Sequence, residues 1–123
     1  MKSYTDLEQS KVLAEILPIE SADMCFYNDG TAIKIDANSY IVRYSMWKDC
    51  VVEIIPCWSL TALLCVLPDE VGDNHYLTLN KEGKEYCCCY EDNNGNSFRH
   101  TFADNLVDAC VEMIIKLHEQ NLL

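Results

Sequence analysis

Three consecutive cysteines, Cys87, Cys88 and Cys89, are the stretch of this chain with most chemistry to offer. A thiolate is a nucleophile and a soft metal ligand. Zinc needs about four donors converging at about 2.0–2.3 Å. The segment Glu85 to Tyr90 reads as a β-strand, and strand side chains alternate between faces. At most Cys87 and Cys89 then converge, with Tyr86, Cys88 and Tyr90 on the opposite side. His75 and His100 lie in strand candidates that could neighbour this one, so Cys87, Cys89, His75 and His100 are the candidate metal ligands. The plainer expectation is that these cysteines are small strand residues, with no resident metal or cofactor.

Cys57 is the candidate nucleophile. It stands just before a helical stretch, and a helix N-terminus lowers a thiol pKa. His75, His100 and His118 are the bases available to it. Nothing local orients a histidine toward it and no glycine-rich oxyanion loop precedes it, so packing is the simpler role and no catalytic residue is assigned. The carboxylates Asp69, Glu70 and Asp73 lack the spacing of a twelve-residue calcium loop and read as a solvated acidic loop. The glycines Gly30, Gly72, Gly83 and Gly95 all fall in turns and make no phosphate-binding loop.

The elements that must position these residues follow from periodicity. Thr5-Asp6-Leu7-Glu8 has capping-box form, which predicts a helix from Asp6 to Leu17, stopped by Pro18. Met24–Tyr27 and Thr31–Ile35 read as strands around an Asn28-Asp29-Gly30 turn. Ser39 to Met46 alternates, with Tyr40, Val42 and Tyr44 on one side, and predicts another strand; Cys50 to Ile55 predicts one more. Pro56-Cys57-Trp58-Ser59 opens a second helix in which Leu60, Leu63, Leu64 and Leu67 have helical spacing, closed by Pro68. His75–Leu79, Glu85–Tyr90 and Ser97–Phe102 form a three-strand meander with turns at Gly83 and over Glu91–Asn96. Leu106, Cys110, Met113, Ile114 and Leu117 then mark the apolar face of a closing helix, with Asp104 or Asn105 as its cap. The expected class is α+β: one domain over residues 1–123, an antiparallel sheet with about three helices packed on one face, in the order α-β(3–4)-α-β(3)-α.

The segments YTDLEQSKVLAEILPIESADM, IPCWSLTALLCVLP and NLVDACVEMIIKLHEQNLL resemble those of short uncharacterised proteins of gut bacteria, often encoded in prophages and other mobile elements. The resemblance implies a bacterial or phage-related cytosolic origin. That group carries no established activity, cofactor or site residue onto this chain.

Composition narrows the work the chain can do. Nine basic residues against twenty acidic ones give a net charge of −11, and the basic residues are scattered. A phosphate backbone is repelled by such a field, so direct nucleic-acid binding is disfavoured. No apolar run approaches the ~20 residues of a membrane span. MKSYTDLEQS has no apolar signal region, which predicts a cytoplasmic location and reduced thiols for all eight cysteines. Tyr40, Tyr44, Tyr76, Tyr86 and Tyr90, all placed on strands, are the interface candidates if helices cover only one sheet face. Cross-strand pairing is their alternative role. The leading expectation is therefore a non-enzymatic accessory protein that binds another protein or a second copy of itself. An acidic decoy that mimics nucleic acid, and a small cysteine-dependent enzyme or metal-binding protein, are the alternatives.

Overall fold

The computed structural model of the chain describes residues 1–47 and 53–123. Among the described residues the fold is α+β, with two antiparallel sheets and four α-helices. The chain divides into two compact units, Ser3–Ala62 and Leu63–Leu123 with Met1–Lys2. No described helix is long and apolar enough to cross a membrane.

In the first unit, α1 (Leu7–Ala14) is closed by a capping box one residue later than the sequence suggests. The Asp6 carboxylate accepts from Gln9 N at 2.8 Å, and Gln9 Oε1 accepts from Asp6 N at 3.0 Å. Thr5 cannot serve because its hydroxyl is turned inward. It is fully buried, lies 2.8 Å from Ser10 Oγ and accepts from Trp58 N at 3.1 Å. Leu13 and Cys25 are fully buried in this unit, and Trp58 Nε1 donates to Ser21 Oγ at 2.9 Å.

Strands β1 (Met24–Asn28) and β2 (Ile33–Asp36) form the expected hairpin, and β3 (Glu53–Cys57) pairs with the other side of β1. Asp29 holds the turn by accepting from Thr31 N at 2.9 Å and from Ala32 N at 3.3 Å. Residues 48–52, and with them the first part of the strand expected over Cys50–Ile55, lie outside the described residues. Pro56 does not open a helix. It sits in β3 opposite Cys25, a position open to proline because β3 is an edge strand.

The strand expected over Ser39–Met46 is instead a helix, α2 (Tyr40–Trp47). Apolar side chains crowd this stretch so densely that period 2 and period 3.6 both fit it. Both edges of β1 are already taken by β2 and β3, so no place beside β1 remains for another strand. As a helix, Tyr40 and Tyr44 fall four residues apart and stack at 5.8 Å and 11°, and Ser39 Oγ accepts from Val42 N at 3.4 Å.

Helix α3 (Leu60–Val66), inside which the division between units falls, starts where Ser59 Oγ accepts from Ala62 N at 3.2 Å. The second unit is a meander in the order β4-β5-β6-β7: β4 (Glu70–Val71), β5 (His75–Glu82), β6 (Glu85–Glu91) and β7 (Ser97–Ala103). The two-residue strand β4 arises within the stretch expected to be an acidic loop, because Val71 is buried. Gly83, at φ +63°, makes the β5–β6 turn. Helix α4 (Leu106–Glu119) is capped by Asn105, whose side chain accepts from Asp108 N at 2.8 Å. Its buried residues include Cys110, Met113, Ile114 and Leu117 of the expected stripe. It lies against β6 and β7, where Thr101 Oγ1 donates to Ala109 O at 2.7 Å.

Candidate metal centre

The central strand β6 sorts the three adjacent cysteines by face. Cys88 points toward α4: it is fully buried, and Thr101, which bonds α4 through Ala109, is its partner across β7. A hydrogen bond with Cys110 of α4 and burial push the Cys88 thiol far above its ordinary pKa. Cys87 and Cys89 occupy the opposite face with their cross-strand partners Asn80 and Thr78 on β5 and Phe102 and His100 on β7.

On that face the sulfurs of Cys87 and Cys89 and a ring nitrogen of His100 all lie within 4.8 Å of one another. Cys87 and Cys89 are only 2 % and 1 % exposed, while His100 is open to solvent. The imidazole is held on two sides. It stacks on Phe102 at 5.9 Å and 7°, and its Nε2 shares a hydrogen bond of 2.9 Å with Ser97 Oγ. The Cys89 thiol donates to Glu91 Oε1 at 3.6 Å. The Asn80 amide oxygen, on the residue paired with Cys87, is buried without a hydrogen-bond partner.

The same surroundings keep the thiols protonated. Burial, the neighbouring Cys87 thiol and the Glu91 carboxylate push Cys89 up to about 12. Burial is the main cause of the raised Cys87 value, with Glu82 and Glu91 adding to it. Burial, the larger cause, disfavours charge of either sign; the Glu82 and Glu91 carboxylates supply the negative potential that attracts a cation, and a bound cation replaces the thiol protons. The arrangement is suited to metal ligation and poorly suited to nucleophilic attack, which needs a free thiolate.

The structure brings Cys87, Cys89 and His100 together and leaves His75 out. His75 is at the start of β5 and, one residue from Tyr76, is directed to the other face by the strand alternation. Glu91 and Asn80 were not picked out from the sequence. The pattern Cys87-x-Cys89-x-Glu91 on one strand was the available signal for Glu91, since period 2 puts all three on one face.

Cys57 does not meet the needs of a nucleophile. It is the last residue of β3, not a helix N-terminal residue, and it is fully buried. Its thiol donates to Thr5 O at 3.4 Å, and burial raises its pKa. Cys65, on α3, is exposed.

The tyrosines do not share one strand face. Tyr40 and Tyr44 are on α2. Tyr90 is fully buried, its hydroxyl donating to Pro68 O at 2.8 Å, so it belongs to no surface patch. Tyr86 lies on the Cys88 face, with Lys81 Nζ 5.3 Å from its ring centroid. Tyr76 is 42 % exposed and shares the Cys87–Cys89 face with Phe102, 43 % exposed. A cleft of about 390 Å³ in the first unit is lined by Lys11, Glu15, Ile19, Tyr40, Glu53 and Pro56 among others, and among the described residues its lining includes no thiol or imidazole. No protein-family model, curated protein or solved structure matches the chain.

Proposed function

We propose that this protein is a non-enzymatic metal-binding protein that takes one thiophilic d-block cation on the face of its four-stranded sheet opposite α4. The observation that carries this reading is the approach of two thiols and one imidazole to within 4.8 Å of one another. A zinc tetrahedron with bonds of about 2.3 Å to sulfur separates its two sulfurs by about 3.8 Å, so closure asks for donor shifts of about 1 Å at most. Binding of a divalent ion releases the two thiol protons and leaves a bis-thiolate complex, so apparent affinity rises with pH. The thiols must be reduced to serve, which fits a cytoplasmic location.

Native mass spectrometry of reduced protein, purified without chelator and supplied with one equivalent of Zn²⁺, tests the reading. One bound zinc, with two protons lost, is the expected result. A native mass equal to the denatured mass under these conditions would overturn it.

A second reading, binding to another protein, is favoured by the exposed Tyr76 and Phe102 beside the cluster and by the net charge of −11. The charge suits a basic partner better than a second copy, because two such chains repel. Sedimentation equilibrium at low and high salt tests this choice. A monomer at both supports a basic partner, and a dimer strengthened by salt identifies a second copy.

A further inference from the structure

The metal-binding reading leaves the fourth ligand open, and on that reading the side chain that supplies it decides which ions the site prefers. We propose that Glu91 is this ligand and closes the site as a Cys87, Cys89, His100, Glu91 tetrahedron selective for Zn²⁺-like divalent ions over Cu⁺.

The geometry is the first argument. Bonds of about 2.3 Å to sulfur and about 2.1 Å to a carboxylate oxygen, held at the tetrahedral angle, put those two ligand atoms about 3.6 Å apart. Cys89 Sγ and Glu91 Oε1 are 3.6 Å apart. This edge of the tetrahedron is therefore already at its bonded length, with a thiol proton where the ion would bring charge.

The second argument is topological. Cys87, Cys89 and Glu91 are alternate residues of one strand and share a face. The register between β6 and β7 shifts between Tyr90 and Glu91, so Glu91 pairs with Ser97 while Cys89 pairs with His100. Ser97 in turn holds His100 Nε2 at 2.9 Å. The bulge thus sets Glu91 opposite Ser97, the partner of His100. The Glu91 carboxylate stands outside the 4.8 Å group of Cys87, Cys89 and His100, so a rotation of its side chain about its contact with Cys89 closes the tetrahedron.

A carboxylate ligand separates ions by their chemistry. Zn²⁺ accepts sulfur, nitrogen and oxygen donors in a tetrahedron, whereas soft Cu⁺ is served by thiolate and imidazole without a carboxylate. The test compares Glu91→Gln with Glu82→Gln, which removes an equal charge from a residue that also bears on Cys87. Zn²⁺, Co²⁺ and Cu⁺ affinities are measured for both variants and the parent protein by competition with chromophoric chelators, with far-UV circular dichroism to verify folding. Glu91→Gln is expected to weaken Zn²⁺ binding by at least about 10-fold, the lower end of what even outer-shell losses cost. It should also reduce the tetrahedral ligand-field intensity of the Co²⁺ form and leave Cu⁺ affinity unchanged. Glu82→Gln should change Zn²⁺ affinity several-fold less. Equal effects of the two variants, or an equal loss of Cu⁺ and Zn²⁺ affinity in Glu91→Gln, would show that Glu91 acts only as a charge and would overturn the inference while the metal site stands. A parent protein that binds none of the three ions would remove the site itself.

Discussion

Alanine substitution at Cys87, Cys88 and Cys89 in turn should have opposite consequences at adjacent positions. Cys88 is fully buried on the α4 face. Removing its sulfur forfeits roughly the transfer free energy of one methylene, about 0.8 kcal/mol. A residual cavity of about 25 Å³ adds about 0.6 kcal/mol at about 24 cal/mol per Å³. The sum, about 1.4 kcal/mol, corresponds to a fall in melting temperature of several °C, on the order of 4–8 °C per kcal/mol for small domains. Zinc affinity should be unchanged, because Cys88 points away from the cluster. Cys87→Ala and Cys89→Ala each remove a ligand, and their zinc affinity should fall by at least about 100-fold, the upper end of outer-shell effects. Chelator-competition titration and thermal denaturation of metal-free protein read the two effects separately. If Cys88→Ala weakened zinc binding as much as Cys89→Ala, the alternation of side chains along β6 would not govern the site and the ligand assignment would fail.

Three further outcomes follow from the same structure. Thr5→Ala should destabilise the first unit by about 1–3 kcal/mol in urea titrations, because Trp58 N loses its acceptor in a buried position; Asp6→Ala should cost about 1 kcal/mol as an ordinary cap loss, and an Asp6→Ala protein as stable as the parent would restore Thr5 as the cap. Hydrogen bonds from Thr31 and then Lys34 hold the Asp29 carboxyl below its ordinary range. A group depressed in the folded state stabilises above its unfolded value of about 3.9 and loses that contribution as pH falls through the folded value. NMR titration of the Asp29 carboxyl carbon should therefore have its midpoint below 3.9, and a midpoint at or above it would contradict the turn geometry. Mass-resolved alkylation at neutral pH should label exposed Cys65 before Cys57 or Cys88, both fully buried; early labelling of Cys57 would reopen it as a reactive thiol.

The closing helix, the β1–β2 hairpin and the three long strands of the second unit were all legible from periodicity and turn residues, because each signal lies within a few consecutive positions. The alternation of Cys87, Cys88 and Cys89 was legible for the same reason. Other features depended on residues distant in sequence. Thr5 is drawn away from its capping role by Trp58, more than fifty residues on. Ser39–Trp47 fits two periods equally well, and only the tertiary structure shows that the helical one is used. His100 and not His75 joins the cysteines because register, a property of two strands together, places it opposite Cys89. Local sequence determined the kinds of elements and the face each cysteine would occupy. Tertiary structure decided which histidine and which carboxylate meet them, since pairing across strands is set by the hydrogen-bonded ladder and its bulge rather than by any local preference.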